Sequence, residues 1–381
     1  MIQSDSPQFP VRVLMLFTIL NRGGAETMVM NYYRNIDREK VQFDFAVHRQ
    51  ERGAYEDEIE SLGGRIYRFM PLNPLTFRQY ERQISQFFDE HPEYKIIHGQ
   101  CSESGYFFYK EASKRGIPVI IAHAHSSHVP FDLKLIMRTY FKHRMRPYLT
   151  HGFSCGREAA IWLFGKKMGA QAILLNNAID THRYVFSEEK RMAIRQQIGL
   201  SDTKLVVLHV GSFVMPKNHK FIIDVFQEIH KRCPDTVLLL TGAGPMRQSI
   251  EEKVARLGLT DCVRFLGSRD DIPDVMMASD VYLFPSIFEG LPVTLIEAQA
   301  TGLNCLISDR IPNEVVVTQK VSIMSLDQSA ESWAEKALEL ATNKGNRDLS
   351  VKNIVDAGYD VRKNAQWLQD FYVKQIVSQH F

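Results

Sequence analysis

Eleven short apolar runs recur along this 381-residue chain, and most do not alternate with period two. In the first half they are Val11–Phe17, Phe43–His48, Arg65–Phe69, Lys95–His98, Val119–Ala122 and His151–Ser154. In the second half they are Leu205–Val210, Val237–Thr241, Val263–Leu266, Val281–Pro285 and Asn304–Ser308. A strand with one wet face alternates apolar and polar residues. A strand buried on both faces does not, and such strands belong to parallel sheets covered by helices. Helical patterns such as Lys217–Lys231 and Met246–Leu257 lie between the runs. Repeated βα units with right-handed crossovers follow, and the expected fold class is α/β.

A turn-rich segment, Leu175-Asn176-Asn177-Ala178-Ile179-Asp180, precedes a fresh series of units from Leu205. We therefore expect a first domain over 1–173 and a second over 174–358. The last stretch, 359–381, reads as a helix with Ala365, Leu368, Phe371, Tyr372 and Ile376 on one face, suited to pack back on the first domain.

Composition narrows the function classes. Net charge is +2, which gives no strong pull toward nucleic acid. The charge is uneven: residues 1–173 hold 23 Lys+Arg against 18 Asp+Glu, and residues 174–381 hold 23 against 26. The first half is the better neighbour for an anionic surface or acceptor. Five cysteines, at 101, 155, 233, 262 and 305, show no C-x-x-C spacing and read as reduced thiols, not a disulfide frame or zinc site. Met1–Pro10 is polar, and no apolar run is long enough to span a bilayer. The expected location is cytoplasmic, at the inner face of the membrane if at any membrane.

The segment Pro285-Ser286-Ile287-Phe288-Glu289-Gly290-Leu291-Pro292-Val293-Thr294-Leu295-Ile296-Glu297 carries the strongest chemistry. A buried strand ends, a Gly-containing loop follows, and a helix begins near Pro292, where proline suits the first turn. The amides of Leu291, Val293 and Thr294 then stand at a helix N-terminus, which binds phosphate. Glu289 at the mouth and Glu297 one turn in suit sugar hydroxyls better than phosphate. A lone Glu would merely pair on a helix face. The combination argues for a site.

These residues resemble the E-x7-E motif of retaining glycosyltransferases of family four, which have the GT-B fold. Further segments match in order: Arg22-Gly23-Gly24-Ala25-Glu26, the glycine loop after the first strand; Asn177-Ala178-Ile179-Asp180, an N-G-I-D hinge with Ala for Gly; His209-Val210-Gly211 through Lys217-Asn218-His219, a G-R-x-x-x-x-K segment; Leu240-Thr241-Gly242-Ala243-Gly244-Pro245, a G-x-G-P segment; and Val263-Arg264-Phe265-Leu266-Gly267. The resemblance covers essentially the whole chain and is nearest to enzymes of bacterial exopolysaccharide and capsule synthesis. It implies two Rossmann-like domains whose parallel sheets face across a cleft. It also implies a nucleotide-diphosphate sugar donor of the UDP type, and a glycan or polyprenyl-linked acceptor.

It implies roles as well. Glu297 would hold the ribose, Glu289 the transferred sugar, and Lys217 the leaving diphosphate. Gly211, Ser212, Gly244, Gly290, Leu291, Pro292 and Val293 would complete the donor site, with the base edge read around Arg264 and Phe265. Fixed cations and amides stabilise a departing diphosphate most at the transition state. No D-x-D pair occurs, so no metal and no cofactor are expected. Ser212 stands where the family has Arg, which removes half of the usual cationic clamp. Gly23 and Gly24 either let a diphosphate or acceptor approach closely or simply make a tight turn. His98, His123, His125 and His128 cluster at strand ends, with Cys101 and Glu103 after His98 in no known zinc spacing. His125 matches the family's histidine near the reacting centre best, and His123 is next.

The basic stretch Phe131–Leu149, with Lys134, Arg138, Lys142, Arg144 and Arg146, suits peripheral contact with anionic lipid; a solvated basic helix is the commoner explanation. Two other functions share this architecture: a nucleotide-sugar epimerase, and a non-catalytic nucleotide-sugar-binding partner of another transferase.

Overall fold

A computed structural model of the protein describes residues 10–125, 135–343, 345–347 and 350–378. The chain divides into two compact units: Met1–Ala178 with Val361–Phe381, and Ile179–Asp360.

The first unit is built on β1 Val11–Phe17, β2 Val41–Val47, β3 Ile66–Arg68, β4 Ile96–Gly99, β5 Val119–Ala124, β6 His151–Ser154 and β7 Ile173–Leu174. All pair in parallel, in the order β3-β2-β1-β4-β5-β6-β7. The continuous apolar run of β1 feeds two cores. Val13, Met15 and Phe17 enter one layer, and Leu14 and Leu16 the other. This is why period-two alternation is absent. The helix Val361–Val377 belongs to the first of those layers, through Val361, Ala365, Leu368 and Tyr372, with Phe371 and Ile376 packed against it.

The second unit holds β8 Leu205–Val210, β9 Thr236–Thr241, β10 Val263–Gly267, β11 Val281–Phe284, β12 Asn304–Ser308 and β13 Val321–Met324. They too are parallel, in the order β10-β9-β8-β11-β12-β13. In each sheet the order reverses between the first and fourth strands, β1/β4 and β8/β11. Loops from those two strand ends diverge to opposite faces and leave a crevice at the carboxyl edge, where ligands of doubly wound sheets bind.

One sequence expectation is corrected. Lys217 does not open a helix. It ends a 3-10 turn, Met215–Lys217, and the α-helix runs from His219 to Arg232. Asn218 between them is left-handed, with φ 57°, which no α-helix continues through. Among the described residues no helix is long and apolar enough to cross a membrane.

Candidate active site

At the β8/β11 switch point the backbone comes first. Gly211 N bonds Thr241 O at 3.0 Å, Phe213 N bonds Ala243 O at 2.9 Å and Met246 N bonds Phe213 O at 3.0 Å, so the loops after β8 and β9 lie back to back. Gly242 and Gly244 have φ of 134° and 156°, and a Cβ there would lie 2.2 Å from Gly211 O and 2.6 Å from Phe213 O. Only glycine permits this approach.

The 216–218 turn is then tied to the chain leaving β11. Ile287 N bonds Pro216 O at 2.7 Å, and Asn218 donates its side-chain amide to Pro285 O at 3.1 Å. The tie sets Lys217 against Glu289, with Nζ 2.6 Å from Oε1. The ammonium also lies 4.9 Å from the centroid of the Phe284 ring. Side chains of the pair are only 18% and 11% exposed, so the attraction is screened far less than at a surface. Pro292 is the N-cap of the helix Val293–Ala300. The first-turn amides of Val293 and Thr294 have no intrahelical acceptor there, which is the donor set an anion needs. Gly290 and Leu291 are half-buried in the loop before it.

Glu297, on the same helix, accepts a 2.6 Å hydrogen bond from Tyr184. Burial raises its carboxyl pKa, while that bond and the charge of Arg183 work the other way. Nothing in the sequence marked Tyr184, because its partner lies 113 residues further along the chain. Two further residues, the ends of the His209–His219 segment, are given no role by the sequence. His209 donates Nδ1–H to Leu283 O at 2.9 Å, and His219 stacks on Phe213 at 4.2 Å. His209 Nε2, both ring nitrogens of His219, Thr241 Oγ1 and Ser286 Oγ are buried without a hydrogen-bond partner. Such atoms cost free energy unless a ligand or water meets them. Burial and the Lys217 charge push His219 down to about 4, so it is neutral.

Ser212 is exposed. The Arg264 guanidinium turns to the carbonyls of Ile198 and Gly199. Phe265 is half-buried, 6.0 Å from the Phe213 ring and 5.6 Å beneath the Arg247 guanidinium.

In the first unit, Gly23 caps the helix Gly24–Asn35, whose start is covered by the Glu26 carboxylate, while the space over Gly24 is open. His98, His123 and His125 come together at the ends of β4 and β5; His128 lies outside the described residues. The basic stretch is described from Leu135, where a helix runs to Met145. There Lys142 lies over the Trp162 ring and Arg146 donates to Leu163 O, while Ile136 and Tyr140 stand exposed.

The profile of the family described as Glycosyl transferases group 1 matches residues 190–356, which contain every second-unit site residue above except Tyr184 and Arg183. EpsF of Bacillus subtilis (strain 168) is 34% identical over 95% of this chain and 96% of its own. The capsular polysaccharide biosynthesis glycosyltransferase CapH of Staphylococcus aureus is 24% identical over 96% of this chain and all of its own. Among solved structures, Anabaena HepE in complex with UDP has a TM-score of 0.78 at 18% identity, covering 94% of this chain and 99% of that one. That likeness shows the GT-B fold. With the EpsF match spanning both units, the chain belongs to the group 1 glycosyl transferases.

Proposed function

We propose that the protein is a retaining, metal-independent transferase that takes a sugar from a UDP-type donor and passes it to a glycan or polyprenyl-linked acceptor in surface-polysaccharide synthesis. One observation carries this reading: the Lys217–Glu289 pair, 2.6 Å apart, held beside a helix N-terminus at the switch point. When the donor's diphosphate enters, it competes with Glu289 for the ammonium. Lys217 and the amides of Val293 and Thr294 then meet the negative charge that builds as the diphosphate leaves. Glu289, released, accepts from hydroxyls of the transferred sugar, and Glu297 from the ribose. The acceptor class rests on relatives' names. CapH is named for capsule synthesis, and an Escherichia coli relative, 22% identical over 75% of this chain, is named for transfer of galactose from UDP-Gal to a diphosphoundecaprenol-linked sugar.

The test is a melting-point screen against UDP, GDP and ADP sugars, followed by a transfer assay in excess EDTA. A ligand of the folded state raises the melting point. We expect a UDP sugar to do so and transfer to persist in EDTA. Loss of transfer on chelation, restored by magnesium or manganese, would overturn the assignment of leaving-group stabilisation to Lys217 and the amides.

Ser212 favours a second reading, a protein that binds nucleotide sugars without turning them over. Ser212→Arg separates the two. A restored charge-assisted contact to diphosphate contributes about 1.5–3 kcal/mol, or about tenfold or more in affinity or rate. In a working transferase, donor affinity by calorimetry, turnover or both should rise by that amount. A rise in affinity with no turnover in either protein supports the binding-only reading. No gain in either quantity rejects the weakened clamp and marks a reshaped donor pocket.

A further inference from the structure

A cavity of about 360 Å³ opens at the amino edge of the second sheet. Asp280, Leu303 and Lys320 line it, and each stands immediately before a strand, β11, β12 or β13. The site built around Lys217 and Glu289 lies past the other end of β11. The four residues of that strand span about 13 Å, so the two sites are separate.

Charge is unbalanced around the cavity. Asp280 is held on one oxygen by Arg191 at 2.7 Å and on the other by Arg195 at 2.8 Å, and that second oxygen also accepts from Val206 N at 2.8 Å. Glu188, which is exposed, lies 3.7 Å from Arg191. Among the described residues no carboxylate lies within 4.0 Å of Arg347 or Lys320. Three arginines and a lysine thus face two carboxylates, an excess of two positive charges. Arg347 has a structural role. It donates to the carbonyls of Met276 and Ser279 at 3.1 and 3.0 Å and of Thr301 at 2.8 Å, at the ends of the helices Ile272–Ala278 and Val293–Ala300. Those carbonyl ends offset part of its charge. Burial and the charge of Arg191 still push its pKa down to about 9. Lys320 has no such support. Its Nζ makes no hydrogen bond among the described residues, and it stands over Gly345, where an added Cβ would lie 3.2 Å away. Burial and then the charge of Arg347 lower its pKa. A half-buried ammonium that its neighbour repels, with no partner in the fold, stands ready for an anion.

The shape of the void describes the rest of the ligand. A second hollow of about 620 Å³ adjoins the first across Lys320 and Asn346, which line both. Its wall includes Thr318, Ser350 and Asn353. The backbone there is fixed from behind: Gln299, fully buried, accepts from Val317 N and Thr318 N, each at 3.0 Å. Hydroxyls and amides on a fixed wall suit a body rich in hydroxyl groups. The excess of two positive charges matches a phosphate monoester, which carries about −1.5 to −2 at pH 7, better than a carboxylate.

We infer that the amino edge of the second sheet is a second ligand site, for a phosphate monoester with a hydroxylated body. Lys320 meets the phosphate, Arg347 and Arg191 supply positive potential behind it, and the body lies in the adjoining hollow. The probe is glucose 6-phosphate, titrated by calorimetry at pH 7 into the full-length chain in phosphate-free buffer. The parent, Lys320→Met and Lys217→Met are compared, because the donor crevice also takes phosphate. The parent should bind, and Lys217→Met should bind as the parent does. Lys320→Met, which loses a charge-assisted contact, should bind at least about tenfold more weakly. No binding to the parent, or equal binding to the parent and Lys320→Met, overturns the site. Binding lost in Lys217→Met but kept in Lys320→Met moves the ester to the donor crevice and also overturns it. The melting point without ligand is a second readout. Removing a repelled cation should leave it level or raise it in Lys320→Met, and a fall would make the ammonium part of the fold and overturn its role. Inorganic phosphate should bind more weakly than glucose 6-phosphate, and equal affinity overturns the part given to the hollow. None of these outcomes depends on the transferase reading, whose own failure shows as failure of every UDP sugar to raise the melting point.

Discussion

Glu289→Gln is expected to lower turnover at least about a hundredfold while the fold stays intact. Removing one preorganised polar group aimed at a transition state costs about 10²–10³ in rate, and Glu289 is the carboxylate held nearest the cation assigned to the diphosphate. Glutamine keeps the shape and one acceptor oxygen, so it can still meet Lys217 at the 2.6 Å site, but it brings no charge. The change separates binding from chemistry. In the parent, an entering diphosphate must draw Lys217 away from a carboxylate across a short, poorly solvated gap. In the variant that competition is gone, so UDP affinity should hold or rise while turnover falls. A structural role for the pair predicts the opposite. An uncompensated, partly buried lysine would lower stability and binding together. The measurements are UDP affinity by calorimetry, turnover with the donor found by the screen, and the melting point. Turnover within tenfold of the parent would refute the assignment, and a fall in UDP affinity parallel to the loss of rate would reduce Glu289 to a support for Lys217.

The strands were legible because a parallel strand buried on both faces leaves an unbroken apolar run. Val11–Phe17, His151–Ser154, Leu205–Val210 and Asn304–Ser308 have the same bounds in sequence and structure. The strands missed, Ile173–Leu174 and Val321–Met324, are edge strands. An edge strand is short and half-wet, and the exposed Leu174 and Ile323 show why no strong run marks it. The E-x7-E loop was legible because glycine, proline and carboxylates are local signals. What the sequence concealed is non-local or conformational. The left-handed turn at Asn218 looks like helix to a periodicity argument. The Tyr184–Glu297 and Tyr372–His98 bonds join residues far apart in the chain. A signal for the buried histidines did exist: His209 sits inside an otherwise apolar strand run, where an imidazole must be neutral and specifically bonded.

Neutral buried histidines make the first unit acid-labile, and it should lose most of its stability as pH falls from 6.5 to about 4.5. His48, His98, His123 and His125 all have depressed pKa values in the folded state, and burial is the first cause for each. His48 and His125 are held at about 4 and His98 at about 3, against an ordinary 6.5. Between those values the unfolded chain binds protons that the folded chain refuses. Stability therefore rises with pH in this window and is lost as pH falls below 6.5. Each such group contributes about 1.4 kcal/mol per pH unit once the unfolded state is protonated, so four give about 5 kcal/mol per unit. Over two units that slope removes about 10 kcal/mol, comparable with the whole stability of a domain, about 5–15 kcal/mol. Glu26 and Glu103, raised by burial, act with the opposite sign because the folded state takes up their protons first, but they are two against five, since burial lowers His151 as well. Among its described residues the second unit has only His209 and His219 of this kind, so it should outlast the first. Hydrogen exchange read by mass spectrometry from pH 7 to 4.5 follows the two units separately. His123→Gln, with one fewer group to protonate, should flatten the slope for the first unit. Protection there that stays level down to pH 4.5 would mean that these rings are charged or wet in the native state.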